Sequence, residues 1–320
     1  MREPLESNLE RDPMRARYPA VLAALALLAA CVLVAGCGGG GNKSNTSTSA
    51  AKTATPGINV SADPKVTGEV PAAIKSKGTL TVAADATYPP DEFIAKDGKT
   101  VIGMDADMAK ALAQVMGLKA SVQNVTFDSI IPGLAAGKYD LGMSSFTDTK
   151  EREKTVDFVT YLTAGSSIYV KASGGPDITS LDALCGHKVA AEKGTTQQQD
   201  IATRDKKCKT EGKPGVTAEI LPDQNGVNLA LSSGRADAAM ADSPVAAYIV
   251  EQSSGQFKVS GGPFPPEPYG IAIPKNSGLT QPVLDGMKAL IDDGTYKKIL
   301  DYWGLSAGAI SNPQINGAVS

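Results

Sequence analysis

The chain has 320 residues, is 42% apolar and 20% charged, and carries a net charge of -3. That length allows two domains, and the charge balance gives no electrostatic case for a nucleic-acid partner. The lone histidine, His187, argues against His-based catalysis and a His-ligated metal site, so no cofactor is expected.

Arg15 and Arg17 precede an unbroken apolar run from Ala20 to Ala35, and Val34-Ala35-Gly36-Cys37 follows at its end. A basic start, an apolar middle and small residues at the end make a secretory signal over residues 1–36. The run is too short and too rich in Ala for a confident membrane span. Val-Ala-Gly-Cys resembles a bacterial lipobox, which implies cleavage before Cys37, lipidation of its thiol and an extracytoplasmic protein anchored to the cell membrane. Residues 37–71 are mostly Gly, Ser, Thr, Asn, Ala and Lys and read as a disordered tether.

The predicted fold starts at Ala72. A helical turn holds Ala73 to Lys75, and a strand from Leu80 to Ala84 delivers Asp85. Asp97-Gly98 marks a hairpin turn. A helix follows Gly103, with Met108, Leu112, Val115 and Met116 on one face. Another opens at Phe127-Asp128 and ends at Gly137, and a strand from Tyr139 to Met143 follows it. Ser144, Ser145 and Thr147 then leave that strand. Asp148 with Glu151 reads as a capping box, which places Arg152 in the first turn of a helix. A cation there opposes the macrodipole by ~0.3–1 kcal/mol. The nearby hydroxyls point to a shared anion as compensation; a surface pairing of Arg152 with Glu151 or Glu153 is the alternative.

A second unit starts near Ile168. Lys188 to Ala191 is a strand, and Gly194-Thr195-Thr196-Gln197 turns it into a helix. The stretch Leu229 to Asp242 repeats the phrase Leu134 to Ser145, with Leu, Gly, a base, Asp and Met in register. Two units of similar build are expected. Tyr269 to Ile273 is a further strand, and helices cover Val283–Ile291 and Tyr296–Tyr302, with Tyr296, Ile299, Leu300 and Trp303 as packing residues. Residues 310–320 read as a loosely ordered tail. Cys185 and Cys208, the cysteines left in an exported chain, favour one disulfide.

Strands alternating with helices imply an α/β fold, in which ligands sit beyond strand ends. Four exits carry suggestive groups: Asp85 with Tyr88; Ser145 and Thr147 with Arg152; Gly194, Thr195 and Thr196 at a helix start; and Asp242. A cationic clamp facing a carboxylate is what a zwitterion needs. Each group also has a local alternative. Asp242 could cap the helix at Ser243-Pro244, Asp85 could cap the turn at Thr87, and Thr195 and Thr196 could be plain N-caps.

At this point the chain resembles the extracellular solute-binding proteins of ATP-driven importers for polar amino acids. The resemblance spans about Leu80 to Gly304. It rests on Asp85-Ala-Thr-Tyr88-Pro-Pro, Gly103-Met-Asp105-Ala-Asp107-Met, Phe127-Asp128, Ser144-Ser145-Phe-Thr147 through Arg152, Asp157-Phe158, Gly194-Thr195-Thr196-Gln197, Gly234-Arg235-Ala-Asp237, Asp242 and Asp293-Gly294-Thr295-Tyr296. It implies a type II, two-lobed periplasmic-binding-protein-like fold, each lobe a mixed sheet flanked by helices, joined by two hinge strands. Lobe 1 is expected at residues 72–164 and 268–309, with the hinge strands and lobe 2 at 165–267. By the same resemblance Arg152 holds a ligand carboxylate, helped by Ser145, Thr147 and the Thr196 amide, and Ser144 and Thr195 are also expected among the ligand-binding residues. Asp242 holds the ammonium, Tyr88 and Phe127 flank the side chain, and Asp85 lines the pocket. Asp91 stands where the family commonly has an aromatic. If Asp85 and Glu192 both face the ligand, a basic side chain is favoured; a polar or basic amino acid is expected. The expected partners are a membrane permease and an ATPase, with the chain itself a monomer and not an enzyme. Two other roles fit the scaffold: a lyase or dehydratase using Asp85, Asp91 or Glu192 as acid or base, or a ligand-sensing ectodomain.

Overall fold

The computed structural model describes residues 53–320. The expected signal, Cys37 and the first part of the expected tether lie outside the described residues. Among the described residues no helix is long and apolar enough to cross a membrane.

The chain order is α1 (Pro64–Glu69), α2 (Ala72–Lys77), β1 (Thr79–Ala84), β2 (Thr87–Tyr88), β3 (Glu92–Ile94), β4 (Val101–Ile102), α3 (Met104–Val115), β5 (Lys119–Asn124), α4 (Phe127–Ala135), β6 (Leu141–Gly142) and β7 (Val156–Ala164). Then follow β8 (Ser166–Lys171), β9 (Lys188–Glu192), α5 (Thr196–Thr210), β10 (Thr217–Leu221), α6 (Gln224–Ser233), β11 (Ala238–Asp242), α7 (Ser243–Gln252) and β12 (Phe257–Gly261). The chain closes with β13 (Glu267–Pro274), α8 (Thr280–Asp292) and α9 (Thr295–Trp303).

Two five-stranded sheets organise these elements, in the orders β5-β1-β6-β13-β7 and β10-β9-β11-β8-β12. The repeated phrase in the sequence lands on α4–β6 and α6–β11, and β6 and β11 hold the same middle place in their sheets. Both sheets are mixed. β1 runs parallel to β5 and β6, whereas β13 is antiparallel to β6 and β7. The α3 stripe of Met108, Leu112, Val115 and Met116 is buried against α8 and α9, with Ile299, Leu300 and Trp303 in the same core.

Two connections cross between the lobes. β7 passes through Gly165 into β8, and β12 returns through residues 262–266 into β13. A Cβ at Gly165 would lie 2.0 Å from the Phe264 carbonyl oxygen. No side chain fits where the two connections pass.

Three expectations need correcting. The tether does not reach residue 71. Asp63 caps α1 by accepting from the Lys65 and Val66 amides, and Val66 and Val70 are buried in the lobe 1 core. Further upstream, Thr55 donates from both its amide and its hydroxyl to buried Asp107, at 2.6 and 2.7 Å. Lobe 1 therefore extends upstream of residue 72. The tail past residue 309 is not loose either: Thr160 and Gln314, and Phe158 and Asn316, exchange hydrogen bonds along the outer edge of β7. Finally, Asp148 and Glu151 do not open an α-helix. Only a single 3-10 turn, Arg152–Lys154, fits before β7 begins, and Asp148 accepts from the Gly317 amide instead. The macrodipole argument for Arg152 falls with that helix.

Cys185 and Cys208 form the expected disulfide, with Cα atoms 5.7 Å apart. It ties the start of β9's approach to the last turn of α5. Replacing both by Ser should lower stability by ~3 kcal/mol, read as a fall in the urea midpoint. Ligand affinity should not change, because Cys208 lies ~18 Å along α5 from Thr196.

Candidate binding site

One cavity between the lobes is lined by Asp85, Tyr88, Phe127, Ser144, Ser145, Thr147, Arg152, Glu192, Thr195, Thr196 and Asp242, together with Glu92 and Gln197. All eleven residues singled out in the sequence therefore meet at one place. The sheet topology explains this. β1, β6, β9 and β11 end on the facing sides of the two lobes, so their exit residues point into a shared space.

Arg152 stands on aromatic ground. Its guanidinium carbon lies 5.4 Å from the Phe127 ring centroid and 5.3 Å from that of Phe146, and these two rings stack at 4.5 Å. Cation–π attraction steadies a positive group there while leaving its N–H fork available. One arm donates to the Thr147 carbonyl at 2.7 Å and the other to the Gly194 carbonyl, across the cleft, at 3.0 Å. Burial lowers its pKa to about 10, so it stays charged at neutral pH.

Asp242 answers from the other lobe. It sits at the N-cap of α7 yet makes no side-chain capping bond, so its carboxylate is not used locally. Gln197 donates to it at 2.7 Å, and its own amide donates to the Tyr88 hydroxyl at 2.8 Å. Burial raises its pKa to about 6, against the pull of Tyr269, Gln197 and Tyr88.

Asp85 does both things weighed in the sequence. It accepts from the Thr87 hydroxyl at 2.7 Å and from the Phe127 amide at 3.0 Å, and it also lines the cavity. Opposite it, no donor reaches Oε1 of buried Glu192, whose carboxyl lies within hydrogen-bonding reach of Asp85. Burial, and then the charge of Asp85, push Glu192 up to about 10. Burial likewise raises Asp85.

The Ser pair is held by acids from behind. Ser144 accepts from the Asp85 amide at 2.9 Å and donates to Glu92 at 2.8 Å. Ser145 is left-handed at φ 49°, with its amide donating to Asp105 and its hydroxyl to Asp91, each at 2.8 Å. Asp91 is thus fully buried behind Ser145 and is not part of the cavity wall. Thr195 is the plain N-cap its alternative reading described, accepting from the Gln198 amide at 3.2 Å, and it lines the cavity as well.

Two lining residues escaped the sequence reading. Gln197 belongs to the Gly194–Gln197 motif, but its contact with Asp242 depends on how the lobe 2 sheet places α5. Glu92 alternates with Phe93 on a three-residue strand too short to show a periodicity.

The lobes touch across this cavity. Lys193 pairs with Asp128 at 2.7 Å, the Gln224 amide donates to the Thr87 hydroxyl at 3.1 Å, and Gly194 (φ +84°) lies flat against Asp128. A Cβ at Gly194 would come within 3.1 Å of the Asp128 Cβ. The arrangement is a closed one.

Comparison with known proteins agrees with this geometry. The arginine-binding protein ArgT of Corynebacterium glutamicum is 36% identical over 254 residues, covering 79% of this chain and 83% of ArgT. The structure of an ancestral arginine-binding protein bound to arginine matches with a TM-score of 0.66 at 38% identity, over 71% of this chain and 98% of that one. An ancestral amino acid-binding protein, described as a precursor of cyclohexadienyl dehydratase, matches with a TM-score of 0.62 at 38% identity, over 72% and 97% of the two chains. The model of one family covers residues 80–306, and the chain belongs to it: the bacterial extracellular solute-binding proteins, family 3.

Proposed function

We propose that this protein is the substrate-binding component of an ATP-driven amino-acid importer, and that its ligand is a basic amino acid, arginine foremost. The observation that carries the choice of ligand is charge. The cavity sets one guanidinium, Arg152, against the carboxyl groups of Asp85, Glu92, Glu192 and Asp242. A zwitterion satisfies Arg152 with its carboxylate and Asp242 with its ammonium. Glu92 is taken up by the Ser144 and Ser145 hydroxyls. Asp85 and Glu192 remain, and a second cation on the ligand side chain suits them, since like-charged carboxyls crowded together favour a positive guest. Phe127 and Tyr88 supply apolar faces for the methylene stem of such a side chain.

The reading is one of capture without chemistry. The lobes close over the ligand about the Gly165 and Gly262 crossings and present it to a permease and its ATPase, while acylated Cys37 keeps the protein at the membrane. Titration of the common amino acids by calorimetry tests it. Arginine, lysine or ornithine should bind most tightly, and scattering should show the protein contract when that ligand is added. Binding only of aliphatic or acidic amino acids would overturn the choice of ligand.

A further inference from the structure

The family match ends at residue 306, yet the chain continues in an ordered path to Ser320. That path has two parts. The first lies along β7, which is an edge strand of its sheet. The Thr160 amide donates to the Gln314 carbonyl at 2.9 Å, the Phe158 amide to Asn316 Oδ1 at 2.8 Å, and the Asn316 amide to the Phe158 carbonyl at 3.0 Å. The second part leaves the sheet and crosses the loop that carries Arg152. The Gly317 amide donates to Asp148 Oδ2 at 2.7 Å, the Ala318 amide to Glu153 Oε1 at 3.2 Å, and the Lys150 amide to the Ser320 carbonyl at 2.9 Å.

Those three bonds span Asp148 to Glu153, and Arg152 lies within that span. On its inner side the same loop is tied through the Asp148 amide to the Pro268 carbonyl, the isolated bridge of Thr147 with Tyr269, and Arg152 itself, which donates to the Gly194 carbonyl and rests on the Phe127 and Phe146 rings. Inside the loop the Glu153 amide donates to the Thr149 carbonyl, the Arg152 amide to the Thr149 hydroxyl and the guanidinium to the Thr147 carbonyl; these bonds shape the turn and leave its placement against the sheet to contacts from outside. From this geometry we infer that residues 314–320 are a strap that positions the Arg152 loop from outside and so sets the affinity for the ligand's carboxylate. The strap acts through Arg152 and touches no ligand itself. The inference deepens the proposed function and rests on it for the ligand, though not for the loop.

The test uses the full chain carrying Asn316→Ala and Gly317→Pro, which removes the Asn316 side-chain acceptor and the amide that Asp148 accepts. In the ligand-free protein, hydrogen exchange of amides 149–155 should quicken about ten-fold, with β9 and β11 unchanged. Affinity for arginine should fall about ten-fold, while argininamide, which lacks the carboxylate, should lose less than about two-fold. Asn316→Ala alone keeps every backbone donor and should move the same readouts in the same direction by less, which guards against a variant that does not fold. Unchanged loop exchange overturns the strap whatever the protein binds, and equal losses for both ligands overturn its action through Arg152. If the unaltered protein binds no amino acid while the loop still loosens, the transport reading fails and the strap stands.

Discussion

Arg152→Ala should weaken binding of the cognate amino acid by ~2–5 kcal/mol, about 30-fold to 5,000-fold in Kd. The loss is large because the guanidinium is 9% exposed, so a bound carboxylate would be cut off from water with no cation to meet it. The aromatic pair Phe127 and Phe146 would remain, but ring faces repel an anion as readily as they hold a cation. Asp242→Asn should cost a comparable amount from the ammonium side, since the Gln197 amide and Tyr88 hydroxyl beside it do not replace the lost charge. Arg152→Ala with unaltered affinity in calorimetry would refute the clamp. Folding stability should move little by comparison, because Arg152 donates to two backbone carbonyls and to no carboxylate of the protein.

Preference for arginine over glutamine should rise with pH, and the arginine complex should hold one proton fewer. In the closed arrangement burial, and then Asp85, push Glu192 up to about 10, so near neutral pH it holds its proton beside an uncharged side chain. A guanidinium brought between Asp85 and Glu192 favours the ionised form of both and lowers their pKa values. Exchanging glutamine for arginine in the closed cavity therefore releases a proton. The ratio of the two association constants climbs with pH between the arginine-bound value and about 10, by up to ~1 log unit per pH unit. Calorimetry of both ligands in two buffers of different ionisation enthalpy reads the difference in bound protons directly. Glu192→Gln should abolish both the difference and the slope. A flat ratio between pH 6 and 9 would sink the idea that these two carboxyls receive the side chain.

The cavity was legible in the sequence because its parts sit where β-strands end, and short motifs mark those places. Asp85 after β1, Ser144 and Ser145 after β6, Thr195 after β9 and Asp242 closing β11 could each be named before their spatial relation was known. What the sequence concealed was everything held by backbone rather than by side-chain pattern. The strap from Gln314 to Ser320 has no apolar periodicity, since its partners are polar groups of β7 and of the loop from Asp148 to Glu153. The helix at Pro64 carried a readable signal, Asp63 before Pro64, but the polar composition around it masked the burial of Val66 and Val70. Asp148 and Glu151 had the right spacing for a capping box and the wrong surroundings, because Gly317 claims Asp148 and β7 leaves no room for a helix. Spacing reports what a segment can do alone; competition from distant chain decides what it does.

The two sheets differ in when they can be finished. Residues 166–261 contain every strand of the second sheet in one continuous stretch. The first sheet lacks the strand that joins β6 to β7 until residues 267–274 have followed. Domains tend to fold as units in the order their parts emerge. The half encoded first must therefore wait for the end of the chain, and it reaches its finished state only after its neighbour, with the grip of Arg152 the last part to be set.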